Sequence, residues 1–264
     1  KSRSRGLGDV YKRQIADGID QIYVGGYVGR GNIAIPGLPY GILEGELIRR
    51  DYGSLDGTDH TQVHWDDRTG YTPIVNANGG YQFLGYGVIG NPQPDYVYGV
   101  TNTLSYKWAT LRVQFDSQVG GDVFSTTNST LLGRGILQET DFDRFVPVVT
   151  NGLSADGTPN TTQTTANAHY WPNTGVFYDE NSIYDASVMR LREVSLSFVA
   201  PKSFLNGTPF GNASLTLSAQ NIWHYAWNTP SGTNFDPEVI SYGAGSNARG
   251  CLLYTSPSPR DLDL

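Results

Sequence analysis

Cysteine is almost missing from this chain. Its 264 residues hold one, Cys251, and one methionine, Met189. A disulfide framework is therefore excluded, and so is paired thiol chemistry. Lysine is equally scarce, at positions 1, 12, 107 and 202 only, and the formal net charge is −7. An acidic chain with so few cations is poorly suited to a phosphate backbone, so no nucleic-acid partner is expected. Long hydrophobic runs are absent too: none approaches the ~18 residues of a membrane helix, so any membrane span must be built from strands. Gly29-Arg30-Gly31 lacks the GK[ST] continuation and following helix of a phosphate loop.

The two ends belong together. Residues 4–14 read SRGLGDVYKRQ and residues 251–261 read CLLYTSPSPRD. One DNA string encodes both when it is read in opposite orientations and one base out of phase, and that string resembles a transposase sequencing adaptor. Residues 1–14 and 251–264 are therefore expected to be adaptor-derived and are set aside from fold reasoning. Residues 15–250 then contain no cysteine. Losing a net +4 at one end and −1 at the other takes the charge from −7 to −10. An open reading frame at both ends also makes the remainder an expected fragment.

What is present in abundance is glycine, aromatic residues and alternation. Tyr96, Tyr98, Val100, Asn102, Leu104 and Tyr106 occupy even positions, with Val97, Gly99, Thr101, Thr103 and Ser105 between them. Past Lys107-Trp108 the phase flips to Ala109, Leu111, Val113 and Phe115 against Thr110, Arg112, Gln114 and Asp116. A period of two places each set on one face of a strand, and the flip marks a tight turn, so 96–106 and 108–120 are predicted to form an antiparallel hairpin. Val194, Leu196 and Phe198 alternate with Glu193, Ser195 and Ser197, and Leu215, Leu217 and Ala219 with Ser214, Thr216, Ser218 and Gln220. Pro92 and Pro94 bar a central strand just before the hairpin. Strands of this length, apolar on one face and polar on the other with aromatic ends, suit a transmembrane barrel. A large secreted β-protein shows the same alternation.

Two stretches carry chemistry-bearing side chains. Asp51–Gly70 gathers Asp51, Asp56, Asp59, Asp66, His60 and His64. A metal site and a turn-rich solvated loop both fit, but the aspartates lack the spacing of a preformed calcium loop, and the turn reading is preferred, with no metal assigned. Ser125 to Asp185 reads as a long polar loop rich in Thr, Asn and Gly. Within it lie His169, Tyr170, Trp171, Phe177 and Tyr178. Tyr170, Trp171 and Tyr178 are the candidate substrate-binding residues, as rings that could stack on sugar or peptide; the alternative is a small core that pins the loop.

The blocks GNPQPDYVYG, LSYKWATLRVQF, QVGGDVF, YDASVMRLREVSLSFVAP, LSAQNIW and FDPEV fall in one order between Gly90 and Val239. This series resembles the C-terminal part of SusC/RagA-type TonB-dependent outer-membrane transporters. The resemblance implies an all-β fold, the C-terminal sector of a 22-stranded transmembrane antiparallel barrel, incomplete in this chain. It implies residence in the outer membrane of a Gram-negative bacterium, in contact with lipid. It also implies TonB-powered import of oligosaccharides or peptides, a SusD-like surface lipoprotein as partner, and a TonB contact made through a region before Ile15. In that topology Lys107-Trp108 and 200–212 are periplasmic turns. Residues 121–187, 224 onward and much of 36–93 are extracellular.

No cofactor is expected. Catalysis is not expected either: His60, His64, His169 and His224 sit in no triad or metalloprotease spacing, and Asp66-Asp67 lie on a turn. The alternative function is a secreted β-sandwich that binds carbohydrate through its loops, and dependence on detergent separates it from the barrel.

Overall fold

The computed structural model describes residues 19–173, 178–229, 233 and 236–239. Both adaptor-like ends, Phe177 and the Asn234-Phe235 pair lie outside them. Strands β1 (Ile22–Tyr27), β2 (Arg30–Ala34), β3 (Ile42–Ile48) and β4 (Phe83–Gly90) form one four-stranded sheet in chain order. Strands β5 (Tyr96–Tyr106) and β6 (Ala109–Val119) follow. Then come β7 (Asp122–Phe124), helix α1 (Thr126–Gly133), β8 (Val148–Val149), β9 (Gln163–Thr164), helix α2 (Ala166–Asn173) and β10 (Ile183–Asp185). The chain ends with β11 (Val188–Val199), the short helix α3 (Lys202–Leu205) and β12 (Ser214–Tyr225). A second four-stranded sheet has the order β12-β11-β6-β5, and every ladder between these strands is antiparallel.

The predicted hairpin is present in the predicted phase. Leu104 faces Leu111, Asn102 faces Val113 and Val100 faces Phe115, while Thr103 faces Arg112 and Thr101 faces Gln114. Directly opposed residues share a face, so the apolar and polar sets separate cleanly. Lys107 takes a left-handed φ of 51° in the two-residue turn.

The apolar set continues across the sheet. Leu217, Leu196, Leu111 and Leu104 make one transverse row, and Trp223, Leu191, Phe115 and Val100 another. Nothing among the described residues covers this face: Leu104 is 62% and Leu217 59% exposed. Aromatic residues stand at both of its ends. Trp108 lies 5.6 Å from Phe198 at the turn end. At the other end Tyr96 stacks with Tyr98 at 6.3 Å and Trp223 with Tyr225 at 6.1 Å. Tyr96 to Tyr106 spans roughly 34 Å along the strand, or about 25 Å if the strand tilts by about 40°, the height of the apolar band of a membrane barrel. A β-sandwich needs a second layer on this face, and the described residues supply none.

The rest of the chain departs from the expected loops. Residues 19–95, 120–173 and 178–187 build a packed headpiece at the end of the sheet opposite the Lys107-Trp108 turn. Strand β3 runs through it with both faces buried. Leu43 and Leu47 pack with Ile89 and Phe124 on one side, and Ile42 packs with Ile33 and Val88 on the other. The region from Ser125 to Asp185, read from sequence as a polar loop, contains both longer helices. α1 has no apolar stripe to announce it. Its N-terminus is fixed by Ser125, whose hydroxyl accepts from Asn128 N, and Ser129 Oγ bonds Ser182 Oγ at 2.7 Å. Tertiary packing, rather than propensity, holds so short a helix.

Candidate functional site

The polar face of the β12-β11-β6-β5 sheet is graded along the strands. Near the turn end it is hydroxylic: Ser105 Oγ pairs with Thr110 Oγ1 at 3.1 Å, and Ser197 Oγ with Thr216 Oγ1 at 3.0 Å. Midway, Arg112 lies 3.7 Å from Glu193. Towards the headpiece Arg190 Nη1 donates to Asp116 Oδ2 at 3.1 Å, and Arg192 grips both oxygens of Asp116. Arg190 and Arg192, two residues apart, share this face by strand parity, and a slip in the ladder brings Glu193 onto it as well. Leu191 pairs with Phe115 but Glu193 with Gln114, leaving Arg192 as the extra, bulged residue. β12 bulges at the same level, where Asn221 has φ 50°. Bulges of this kind re-aim a side chain.

The headpiece is joined to the sheet where three of the sequence blocks meet. Asp122 N donates to Asn91 O at 2.7 Å, and Asn91 N donates to Asp122 Oδ2 at 2.7 Å. Asp95 N bonds Val119 O, Ala186 N bonds Gly121 O, and Gly120 N bonds Ser187 Oγ. Burial pushes the Asp122 carboxyl up to about 6 against the opposing Asn91 amide, and the charges of Asp66 and Asp185 add to the rise.

Two ion pairs tie the Asp179-Glu180 turn to the first sheet. Arg30 reaches Asp179, with Nε to Oδ2 at 2.8 Å and Nη2 to Oδ1 at 2.7 Å, and Glu46 N donates to the same Oδ2. Arg50 Nη2 meets Glu180 Oε1 at 2.5 Å. Gly45 permits the approach, since a Cβ there would lie 2.5 Å from Asp179 Cβ. These partners stand 130 residues or more apart, and no local pattern in the sequence announces them.

The three aromatic candidates divide. Tyr178 is buried and its hydroxyl donates to Tyr81 O at 2.7 Å, which makes it a packing strut of the headpiece. Tyr170 and Trp171 are half-buried on α2. Tyr170 sits 6.0 Å from Phe142, and the Arg134 guanidinium lies over the Trp171 ring at 5.8 Å. Beside them the segment Gly135–Arg144 encloses a cleft of about 470 Å³. His169 is held by Thr150 Oγ1 at 2.8 Å, and burial lowers its pKa. Tyr170 and Trp171 thus stay partly exposed, with Tyr170 meeting the cleft through Phe142, which lines it, while Tyr178 is buried.

The Asp/His stretch is occupied with its own turns. Asp56 Oδ1 accepts from Thr58 N and Oγ1, and Asp59 Oδ1 from Thr61 N and Oγ1, which lowers both carboxyls. These are side-chain-stabilised turns of the usual Asx kind. Among the described residues no three His, Cys, Asp or Glu side chains converge on a possible metal position.

No protein-family model matches the chain. It is 28% identical over 160 residues to TonB-dependent receptor P3 of Formosa agariphila, covering 56% of this chain and 14% of that protein. It is 28% identical over 186 residues to TonB-dependent receptor P26 of the same organism, covering 67% and 17%. The chain therefore spans about one-sixth of the length of these curated relatives. Among solved structures, the RagAB peptide importer in its open-open state aligns over 90% of this chain and 23% of its own, at 17% identity and TM-score 0.49. The RagAB peptide transporter aligns over 89% and 23%, at 16% identity and TM-score 0.48.

Proposed function

We propose that this chain, a TonB-dependent receptor segment of the SusC/RagA type, supplies part of the wall and outer headpiece of an outer-membrane importer. The observation that carries the reading is the uncovered apolar face, bordered by aromatic residues at both ends and backed by a polar face. Lipid satisfies the first face and a watered passage the second, a division that a closed barrel makes possible. The sequence likeness to two receptors and the ordered blocks from Gly90 to Val239 support the same reading. No catalytic step belongs to it.

In the complete protein the cargo is an oligosaccharide or peptide, driven inward through TonB, with a SusD-like lipoprotein over the headpiece. Tyr170 and Trp171, near the 135–144 cleft, are the residues proposed to touch cargo from outside, a reading supported by their partial exposure. The test is uptake by cells that express the complete receptor together with its neighbouring lipoprotein gene. Labelled oligosaccharides and labelled peptides are offered separately. Uptake of one class that stops when TonB is deleted supports the reading. Equal uptake without TonB, or of neither class, contradicts it.

A further inference from the structure

Beyond β12 the chain returns to the sheet it has just left. Asp236 and Glu238 flank a buried Pro237 and face Arg190 and Arg192 on the polar face. Arg190 Nη2 donates to Asp236 Oδ1 at 2.8 Å and Nε to both Asp236 oxygens, at 3.1 and 3.2 Å. Arg192 Nη2 meets Glu238 Oε2 at 2.5 Å, and Arg190 Nε lies 3.6 Å from the same oxygen. Glu238 N in turn donates to Asp236 Oδ1 at 2.9 Å, so the turn presents both carboxylates from one compact unit. Proline pre-sets the backbone of that unit.

We propose that the Asp236–Glu238 turn is a reversible latch, docked on the polar face by Arg190 and Arg192 and able to leave without disrupting the wall. The basis is the third carboxylate. Asp116 belongs to β6 and bonds both arginines from within the sheet. When the turn departs, each guanidinium keeps a wall partner and gains water. No buried charge is stranded, and that stranding is what makes most buried ion pairs costly to open. The Arg30–Asp179 pair is the contrast: Asp179 is fully buried, Arg30 is its one cationic partner among the described residues, and opening the pair would strand a carboxylate. The grip on the turn is also bidentate and charge-assisted, so it is strong in geometry yet open to competition from salt or another carboxylate. The docked turn lies over the headpiece end of the polar face. It narrows that end when closed, a consequence for transport that rests on the proposed passage; the docking itself does not.

The test uses the complete receptor, purified in detergent, with Pro237→Cys as the reporter. Residues 15–250 otherwise contain no cysteine, and any cysteine elsewhere in the receptor is replaced. Maleimide labelling of that buried position is slow while the turn is docked. D236N/E238Q, which leaves both arginines paired with Asp116, should speed it by about tenfold or more. A parallel reporter, Ser117→Cys within β6, should stay slow throughout, because Ser117 is fully buried and belongs to the wall. Unchanged Pro237→Cys labelling in D236N/E238Q overturns the latch. Equal acceleration at Ser117→Cys overturns it too, by showing that the carboxylates of the turn hold the wall itself. None of these readouts requires transport, so failure of the latch is distinguishable from failure of the proposed import.

Discussion

Asn91 and Asp122 hold each other through two reciprocal hydrogen bonds, both at 2.7 Å, one from each backbone amide. They lie in two different sequence blocks, and their pairing sets where the headpiece meets the sheet. Gly90 makes room for it, since a Cβ there would stand 2.7 Å from Asp122 Oδ2.

A pH dependence follows from Asp122. Its folded pKa, raised to about 6 from 3.8 chiefly by burial, lets the folded state bind the extra proton between those values. Stability from this group is therefore fully present below about pH 4 and is lost as pH rises through about 6. Thermal melting of the complete receptor in detergent from pH 4 to 7 should show that loss. D122N, which keeps an acceptor for the Asn91 amide, should flatten the curve. An identical slope in D122N contradicts the assignment.

At the junction glycine, G90A should destabilise the receptor by about 1–3 kcal/mol, because the added methyl meets the Asp122 carboxylate rather than open space. G37A is the comparison: nothing lies within 4 Å of its added Cβ, although its φ of 85° adds backbone strain. A D122A/G90A double variant that costs less than the two single changes together would show the coupling directly. Full additivity would contradict it.

The Arg30–Asp179 pair should be the costliest side-chain contact in the headpiece to break. Burial raises the Asp179 pKa although Arg30 and the Glu46 amide oppose it. R30M leaves that carboxylate buried without its cation and should cost about 3–5 kcal/mol, with the double change R30M/D179L recovering much of the loss. Denaturant titration of the two variants decides the point, and an R30M variant with unchanged midpoint would contradict it.

For the aromatic residues the predictions separate packing from contact. Y178A should cost roughly 3–5 kcal/mol by emptying a packed site, and Y178F about 1 kcal/mol by losing the bond to Tyr81 O. W171A and Y170A should change melting much less while lowering cargo affinity. If Y178A melts like the parent and W171A collapses, the division of roles is reversed.

Much of this architecture was legible before any coordinates. β5, β6 and the outer parts of β11 and β12 carry an uninterrupted period of two, because among the described residues nothing covers their apolar face and each face keeps a single character along its length. The headpiece was opaque for the opposite reason. β3 is buried on both faces, so its residues lose alternation, and α1 reads TTNSTLLG with no apolar stripe. The bulge at Arg192 was half visible: Leu191 and Glu193 share a parity that a regular strand would place on one face, a conflict the slipped register resolves. Of the candidate site, Tyr170 and Trp171 remain accessible, whereas Tyr178 is engaged by Tyr81, a partner 97 residues away.

In the proposed importer one face of the β12-β11-β6-β5 sheet meets lipid and the other meets water. Single cysteines at Thr103, Leu104, Leu111 and Arg112, introduced one at a time into the complete receptor with its other cysteines removed and spin-labelled in liposomes, test it most directly. Collision rates with oxygen and with a water-soluble nickel chelate are then compared at each site. Oxygen-dominated collisions are expected at Leu104 and Leu111 and chelate-dominated collisions at Thr103 and Arg112. Chelate access at Leu104 and Leu111 equal to that at their neighbours would contradict it.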